Sequence, residues 1–204
     1  MRPGAIALAR TAGRLSRRLG RGGGTSLPGN LLLRVEPGAA GKLAADLTEG
    51  SVLVSATNGK TTTTRMLSEC LRDAGHRLVT NTAGANLMSG VTTALLERGD
   101  SDMGLFEVDE AALADAAGQL GPRALLLMNL FRDQLDRYGE LEALADNWDE
   151  MVSRLPSDTA LIVNADDPAV AALGESHPAR VTFGIDDVPG DREPVSYTHL
   201  TLPT

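Results

Sequence analysis

The sequence predicts an α/β fold in which a parallel sheet of the P-loop type is flanked by helices. Short apolar runs alternate with amphipathic stretches, and one apolar run leads through a glycine-containing turn directly into a helical pattern. Such regular alternation implies parallel strands joined by right-handed crossovers. Polar residues also recur where the apolar runs end, and ligands bind at the carboxyl ends of strands in sheets of this kind. Functional residues are therefore expected at that edge.

The individual elements follow from the same pattern. Strands are predicted near residues 52–54, 78–80, 104–108, 124–129, 160–164 and 181–183. Helices are predicted between them, at residues 60–74, 87–98, 110–119, 140–155 and 168–173. The helix before Pro156 is the clearest, because Leu144, Trp148 and Met151 recur at spacings of three or four and share one face. Trp148 is thus expected in the core.

Composition limits the class of protein. A chain of 204 residues that is 42% hydrophobic can bury a sizeable core. No apolar run approaches the roughly 18 residues of a membrane span, and the first twenty residues lack a secretory signal, so a cytoplasmic location is predicted. The single cysteine, Cys70, excludes an internal disulfide and a four-cysteine zinc site, and it is expected to pack in the core.

Charge is distributed unevenly along the chain. The formal net charge is -8, yet residues 1–21 carry six arginines and no acid. The acidic remainder argues against a nucleic-acid partner, which needs clustered basic residues. Within the basic segment, Leu8, Ala12, Leu15 and Leu19 recur at helical spacing. The predicted helix either packs on the domain, which is the commoner case, or touches an anionic membrane surface; an organelle transit peptide is the third alternative.

The loop after the first predicted strand has the composition of a phosphate-binding loop. It reads Thr57, Asn58, Gly59, Lys60, Thr61 and Thr62. Phosphate binding needs inward-facing backbone N–H groups, a helix N-terminus, a lysine and a hydroxyl for magnesium. Gly59, Lys60 and Thr61 supply these in order, although Val54 stands where the strict pattern has glycine. Lys60 is one of only two lysines among nineteen basic residues, and a compact ammonium suits a phosphate cradle.

Acidic residues follow the third predicted strand. Glu107, Asp109 and Glu110 come at or directly after its end and should lie near the loop in a parallel sheet. A carboxylate there can hold magnesium opposite Thr61, directly or through water. A solvated acidic loop is the alternative, and the residues alone leave both interpretations open.

Two further strand ends carry polar clusters. Asn129 and the segment 132–139 close the fourth predicted strand, although alternating charge of this kind is also typical of a solvated helix start. The segment 164–168 closes the fifth, where an Asx turn that caps the next helix is the simpler interpretation.

Four motifs in chain order resemble those of the central ATPase domain of the Mur ligase family: the loop 57–62, Glu107, Asp136 with its neighbours, and the segment 164–168. Three segments are similar to those of MurT-type proteins, the ATP-using subunits of lipid II isoglutaminyl synthase: 22–29, 106–111 and 132–140. The resemblance covers nearly all of residues 4 to 187.

The resemblance implies ATP and Mg²⁺ as cofactors and assigns roles to single residues. Lys60 and Glu107 would be the catalytic residues, with Lys60 on the terminal phosphates and Thr61 and Glu107 on magnesium. Asn164 and Asp167 would bind the adenosine end. The implied reaction activates the α-carboxyl of D-glutamate in lipid II, at the inner membrane face, as an acyl phosphate. Ammonia from a GatD-type glutaminase subunit would then give D-isoglutamine during peptidoglycan synthesis.

The chain departs from the family pattern in several ways, the first being Ala56, where family members usually have glycine. No lysine follows Lys60, so the carbamylated lysine of many amino-acid-adding Mur ligases has no counterpart. Gln134 stands where those enzymes have a metal-binding histidine. The four-cysteine zinc ribbon and the carboxy-terminal domain of MurT-like proteins do not occur in this sequence, so the zinc expected in full-length members has no ligands here.

These features predict three segments. Residues 1–30 would be a basic helix with a Gly-rich connector at 20–29, residues 31–194 an incomplete Mur ligase central ATP-binding domain, and residues 195–204 a non-native tail that resembles a translated sequencing adapter. The fragment is expected to be inactive as a ligase by itself. Two alternatives stay open: another ligase of the superfamily, such as an amino-acid-adding Mur ligase or a folylpolyglutamate synthase, and a non-catalytic P-loop nucleotide-binding protein.

Overall fold

The computed structural model describes residues 3–18, 26–81, 84–131 and 140–185. Its strands are β1 (Ser51–Ser55), β2 (Leu78–Thr80), β3 (Met103–Glu107), β4 (Ala124–Leu127), β5 (Ala160–Asn164) and β6 (Arg180–Phe183). They form one sheet in the order β2-β3-β1-β4-β5-β6, and every neighbouring pair is parallel. The predicted α/β fold with a parallel sheet is confirmed.

Helices connect these strands. Within the described residues they are α1 (Pro3–Arg18), α2 (Leu27–Val35), α3 (Ala39–Ala44), α4 (Lys60–Asp73), α5 (Met88–Leu96), α6 (Leu113–Leu120), α7 (Glu140–Ser153) and α8 (Pro168–Ala171). A short 3₁₀ turn, Glu110–Ala112, precedes α6. The five helices predicted between strands are all present, with shifts of a few residues at their ends.

The two faces of the sheet are covered differently. One face contributes Leu53, Phe106 and Leu125 to the large core beneath the other helices, whereas α4 packs Leu67 and Leu71 on the opposite face. The strand order explains this difference. The crossover from β1 to β2 runs toward one edge of the sheet, whereas the later crossovers run toward the other edge. Because crossovers are right-handed, those that run in opposite directions place their helices on opposite faces. The strand order therefore reverses beside β1, the position at which such sheets bind ligands.

The start of the domain differs from the prediction. Helices α2 and α3 were not predicted, and α2 begins at Leu27, so residues 27–29 of the predicted connector are helical. Pro28 lies in the first turn, where its missing N–H needs no intrahelical partner. Gly29 permits close packing on α5, because a Cβ there would lie 1.9 Å from the Ser89 carbonyl oxygen. Helix α2 also crosses the predicted domain boundary at residues 30 and 31.

The basic N-terminal helix packs on the domain, which was the commoner of the three predicted arrangements. Ala9 is buried in the core, and the Arg10 guanidinium donates to the Leu96 carbonyl. The predicted apolar face was wrong at Leu8, which is 60% exposed. The contact between α1 and α2 depends instead on a small residue, because a Cβ at Gly13 would lie 2.6 Å from Pro28 Cγ.

Two single-residue predictions have opposite outcomes. Trp148 is fully buried, as predicted, and its indole N–H donates to the Glu110 carbonyl oxygen at 3.0 Å. Cys70 does not pack in the core, because it lies on the solvent side of α4 and is exposed.

No helix in the described ranges is long and apolar enough to cross a membrane.

Candidate nucleotide site

The predicted phosphate loop lies between β1 and α4, at the carboxyl edge of the sheet. Gly59 is the last residue before α4 and has φ +88°, a left-handed conformation that favours glycine. The first hydrogen bond of α4 runs from the Thr63 N–H to the Gly59 carbonyl at 2.9 Å. The N–H groups of Lys60, Thr61 and Thr62 belong to the first turn and have no intrahelical acceptor. N–H groups of this kind, together with the helix dipole, can bind an anion.

The Lys60 side chain is held inside the loop. Its ammonium lies 2.7 Å from Glu110 Oε2, and the two side chains are 14% and 17% exposed. It also donates to the Ala56 carbonyl and, at 3.4 Å, to that of Thr57. Lys60 is therefore positioned in the loop by protein groups. Its pairing with Glu110 was not predicted, because nothing in the spacing of 50 residues indicates it.

Glu107 ends β3 directly beside the loop strand, where it is paired in register with Val54. Its side chain is only 3% exposed, and Oε1 accepts from the Gly84 N–H at 3.1 Å. The Asn81 amide bonds both the N–H and the carbonyl of Glu107, at 3.0 and 2.8 Å. The strand-end placement of Glu107 is confirmed, and the backbone that carries its carboxylate is fixed from the neighbouring loop.

The other loop residues divide into two groups. Thr61 and Thr62 lie exposed on the first turn of α4. Thr57 and Asn58 are bonded to the segment after β4: the Thr57 N–H donates to the Asn129 carbonyl, and the Asn58 N–H to Asn129 Oδ1, both at 2.9 Å. Sequence reasoning placed Asn129 at a strand end but gave it no role. In the structure its side-chain amide is hydrogen-bonded to the loop backbone.

Asn164 and Asp167 follow β5 and have their hydrogen bonds within the protein. Asn164 donates to the Met128 carbonyl at 2.9 Å and accepts from the Asp166 N–H, which is the predicted Asx turn. Asp167 is 5% exposed, caps α8 through the N–H groups of Ala169 and Val170, and accepts from that of Leu130. Their role in adenosine binding stays a prediction.

Several predicted features lie outside the described residues. These are Gln134 and Asp136 in the segment 132–139, most of the Gly-rich connector, and the tail 195–204. Among the described residues, no group of three or more His, Cys, Asp or Glu side chains could hold a metal by itself.

The fold and the loop define a class: a parallel α/β protein whose central strand leads through a P-loop into a helix. The sequence profile of the Mur ligase middle domain matches residues 54–198, most of the chain. The chain therefore belongs to the Mur ligase middle-domain family, as the motifs predicted.

Curated relatives agree with this assignment. The chain is 33% identical over 183 residues to "Lipid II isoglutaminyl synthase (glutamine-hydrolyzing) subunit MurT" of Staphylococcus aureus strain N315, a match covering 89% of this chain and 41% of the relative. The subunit of the same name in Streptococcus pneumoniae is 34% identical over 155 residues, covering 74% and 34%. The chain thus spans less than half the length of these relatives.

Solved structures show the same fold. The MurF ligase of Thermotoga maritima in complex with ADP has a TM-score of 0.63 and 19% identity, covering 75% of this chain and 37% of that one. A MurF structure from Acinetobacter baumannii has a TM-score of 0.60 and 20% identity, covering 78% and 34%.

Glu110 should compete with a phosphate for Lys60. We expect Glu110→Gln to tighten binding of metal-free ATP by up to about tenfold, because a neutral amide pairs less strongly with the ammonium. Titration calorimetry in the presence of a chelator measures this. Glu36→Gln is the matched control, since Glu36 pairs with Lys42 at 2.6 Å away from the loop. Weaker or unchanged binding by the Glu110 variant would show that this carboxylate does not compete.

Proposed function

We propose that the chain binds ATP with Mg²⁺ at the 57–62 loop and forms the ATP-using part of a carbon–nitrogen ligase. The observation that carries this proposal is the position of Lys60, which is held by backbone carbonyls inside a loop that ends at a helix N-terminus. In this proposal the first-turn N–H groups bind phosphate oxygens and the Lys60 ammonium binds the terminal phosphates.

The side chains at the loop suit magnesium. Glu107 offers a carboxylate and Thr61 a hydroxyl, and Mg²⁺ prefers oxygen ligands while retaining waters and substrate phosphates. Thr61 and Glu107 would hold the ion, which would neutralise charge on the phosphates when bound. The Gly84 N–H and the Asn81 amide hold the Glu107 side chain and backbone in place for this role.

The MurT relatives support a particular reaction for the whole protein. We propose that the α-carboxylate of D-glutamate in lipid II attacks the γ-phosphorus, which breaks the β–γ bond and releases ADP. Ammonia then attacks the acyl carbon of the resulting acyl phosphate, phosphate leaves, and loss of a proton gives D-isoglutamine. The names of these relatives include glutamine hydrolysis and a subunit, which supports ammonia supply by a glutaminase partner of the GatD type.

Asn164 and Asp167 are proposed to act at the adenosine end through the loop that they shape. Asp167 ties the Leu130 N–H to the start of α8, and Asn164 ties the Met128 carbonyl to the end of β5. Both contacts fix the segment 128–131, which borders the phosphate loop. The proposed role is therefore to hold the backbone against which adenosine binds.

A second candidate is a Mur ligase that uses an amine nucleophile. It is supported by 37% identity over 147 residues to the "UDP-N-acetylmuramate--L-alanine ligase" of a Nocardioides strain, covering 72% of this chain and 32% of the relative. The two candidates share the ATP site and differ in the nucleophile. Turnover by the whole protein with ammonia but not with amino acids favours the isoglutaminyl synthase, and the converse favours the amine-using ligase.

We expect the 204-residue chain with lipid II, ATP, glutamine and a glutaminase to form no amidated product. Its site residues serve the ATP side, whereas orienting an acceptor in line with the γ-phosphate can contribute about 7–11 kcal/mol. Mass spectrometry of digested muropeptides detects the change from carboxyl to amide. The full-length Staphylococcus aureus MurT subunit is the positive control. Product from the 204 residues at a comparable rate would contradict the assignment of the chain to the ATP side alone.

A further inference from the structure

One amide side chain bonds both backbone polar groups of a single residue in the phosphate loop. Asn129 Oδ1 accepts from the Asn58 N–H at 2.9 Å, and Asn129 Nδ2 donates to the Asn58 carbonyl at 3.1 Å. Two contacts flank this pair: the Thr57 N–H donates to the Asn129 carbonyl at 2.9 Å, and the Phe131 N–H donates to Thr57 Oγ1 at 3.0 Å. Loop residues 57 and 58 are thus bonded to residues 129 and 131 across 71 to 74 positions of sequence.

These contacts lie beyond the part of the sheet that the fold requires. The β1–β4 ladder already pairs Val52 through Ser55 with Ala124 through Leu127. Asn129 follows the end of β4 and acts on an exposed loop residue, not on a strand. Its amide therefore adds order to the loop in particular.

The position of the contact matters for phosphate binding. Asn58 directly precedes Gly59, whose left-handed φ of +88° turns the chain into α4. Fixing the Asn58 backbone on both sides fixes the starting point of that turn, and with it the direction of the N–H groups of the first turn. A loop ordered before binding loses less conformational entropy when a phosphate arrives.

The anchor is itself held in place. Asp167, which is 5% exposed, accepts from the N–H of Leu130, the next residue after Asn129. The Asn164 amide donates to the carbonyl of Met128, the residue before it. A chain of contacts therefore runs from α8 and β5 through the segment 128–131 to the phosphate loop.

We propose that Asn129 is a positioning residue of the nucleotide site, holding the phosphate loop in its binding conformation. The inference rests on the proposed function, because it assigns Asn129 to the same site. It concerns affinity and loop order; Asn129 contacts the loop backbone and is not assigned a contact with the nucleotide.

The test is Asn129→Ala in the 204-residue chain. Titration calorimetry with Mg²⁺ and a non-hydrolysable ATP analogue should show binding weakened about tenfold to a hundredfold, since two hydrogen bonds are lost. Amide hydrogen exchange of residues 57–62 without nucleotide should become faster. A purely structural role would lower the melting temperature without changing either quantity in folded protein.

Thr159→Val is the matched control. Thr159 is buried, and its hydroxyl donates to the Pro122 carbonyl at 3.3 Å, between the starts of β4 and β5 at the opposite edge of the sheet. The substitution removes a side-chain contact to the backbone while nearly preserving volume. It is expected to lower the melting temperature and leave ATP affinity and loop exchange unchanged.

The outcomes separate this inference from the proposed function. Failure of the wild-type chain to bind the analogue rejects the proposed function, and the exchange experiment without nucleotide still decides whether Asn129 orders the loop. Wild-type binding with equal affinity in Asn129→Ala, or unchanged exchange at 57–62, overturns the positioning role. If the alanine variant does not fold, Asn129→Asp replaces it, since it keeps the side-chain shape and the acceptor for the Asn58 N–H but replaces the donor to the Asn58 carbonyl with a second acceptor. Faster exchange at 57–62 supports the proposal, and unchanged exchange overturns it.

Discussion

Lys60→Ala is expected to abolish detectable binding of Mg²⁺ and a non-hydrolysable ATP analogue. In the proposed site the ammonium binds the terminal phosphates, and hydrogen bonds to charged groups contribute about 1.5–3 kcal/mol each. The loss of two such contacts corresponds to binding weakened at least about a hundredfold. Titration calorimetry measures the affinity, and circular dichroism checks the fold.

Lys42→Ala is the control for this result. Lys42 also pairs with a glutamate, Glu36, at 2.6 Å, but it lies on α3, and its side chain is 56% exposed. The same chemical change away from the loop should leave ATP binding intact. Equal affinities for wild type and Lys60→Ala would contradict the proposal that ATP binds at the 57–62 loop.

Glu107→Gln is expected to keep the fold and to weaken the magnesium dependence of nucleotide binding. Glutamine preserves the volume of this buried side chain and an oxygen that accepts from the Gly84 N–H. It removes the negative charge that would oppose the cation, and neutral amides are weaker ligands for Mg²⁺ than carboxylates. Binding is compared across a magnesium titration.

Glu49→Gln is the matched control for the metal experiment. Its carboxylate also has a protein partner, since Glu49 Oε2 lies 2.6 Å from His76 Nδ1, but it precedes β1 at the other edge of the sheet. Magnesium dependence should match that of the wild type. An unchanged magnesium titration in Glu107→Gln would mean that Glu107 has only a structural role.

The sequence predicted those features that depend on local pattern. Apolar periodicity and turn residues located the strands, and strand ends located the loop and Glu107, because parallel strands place their carboxyl ends at one edge. The same reasoning failed at α1. The leucine spacing indicated Leu8 for the packed face, whereas Ala9 is buried instead and Gly13 allows the close approach of α1 to Pro28 of α2.

Contacts between residues far apart in the chain could not be predicted from the sequence. The Lys60–Glu110 pair and the Asn129–Asn58 pair join residues 50 and 71 positions apart. Whether a glutamate near a strand end faces solvent, a metal ion or a lysine depends on side-chain directions that sequence spacing does not determine. Asn129 gave no signal either, because an asparagine after a strand is typical of an ordinary turn.

Amide hydrogen exchange of the wild-type chain with and without Mg²⁺ and the ATP analogue tests the central claim most directly, because it maps where nucleotide binds. The proposed site predicts slower exchange concentrated in residues 57–62, with a smaller effect near residues 107–110. Protection confined to another part of the chain, or no protection at saturating nucleotide, would contradict it.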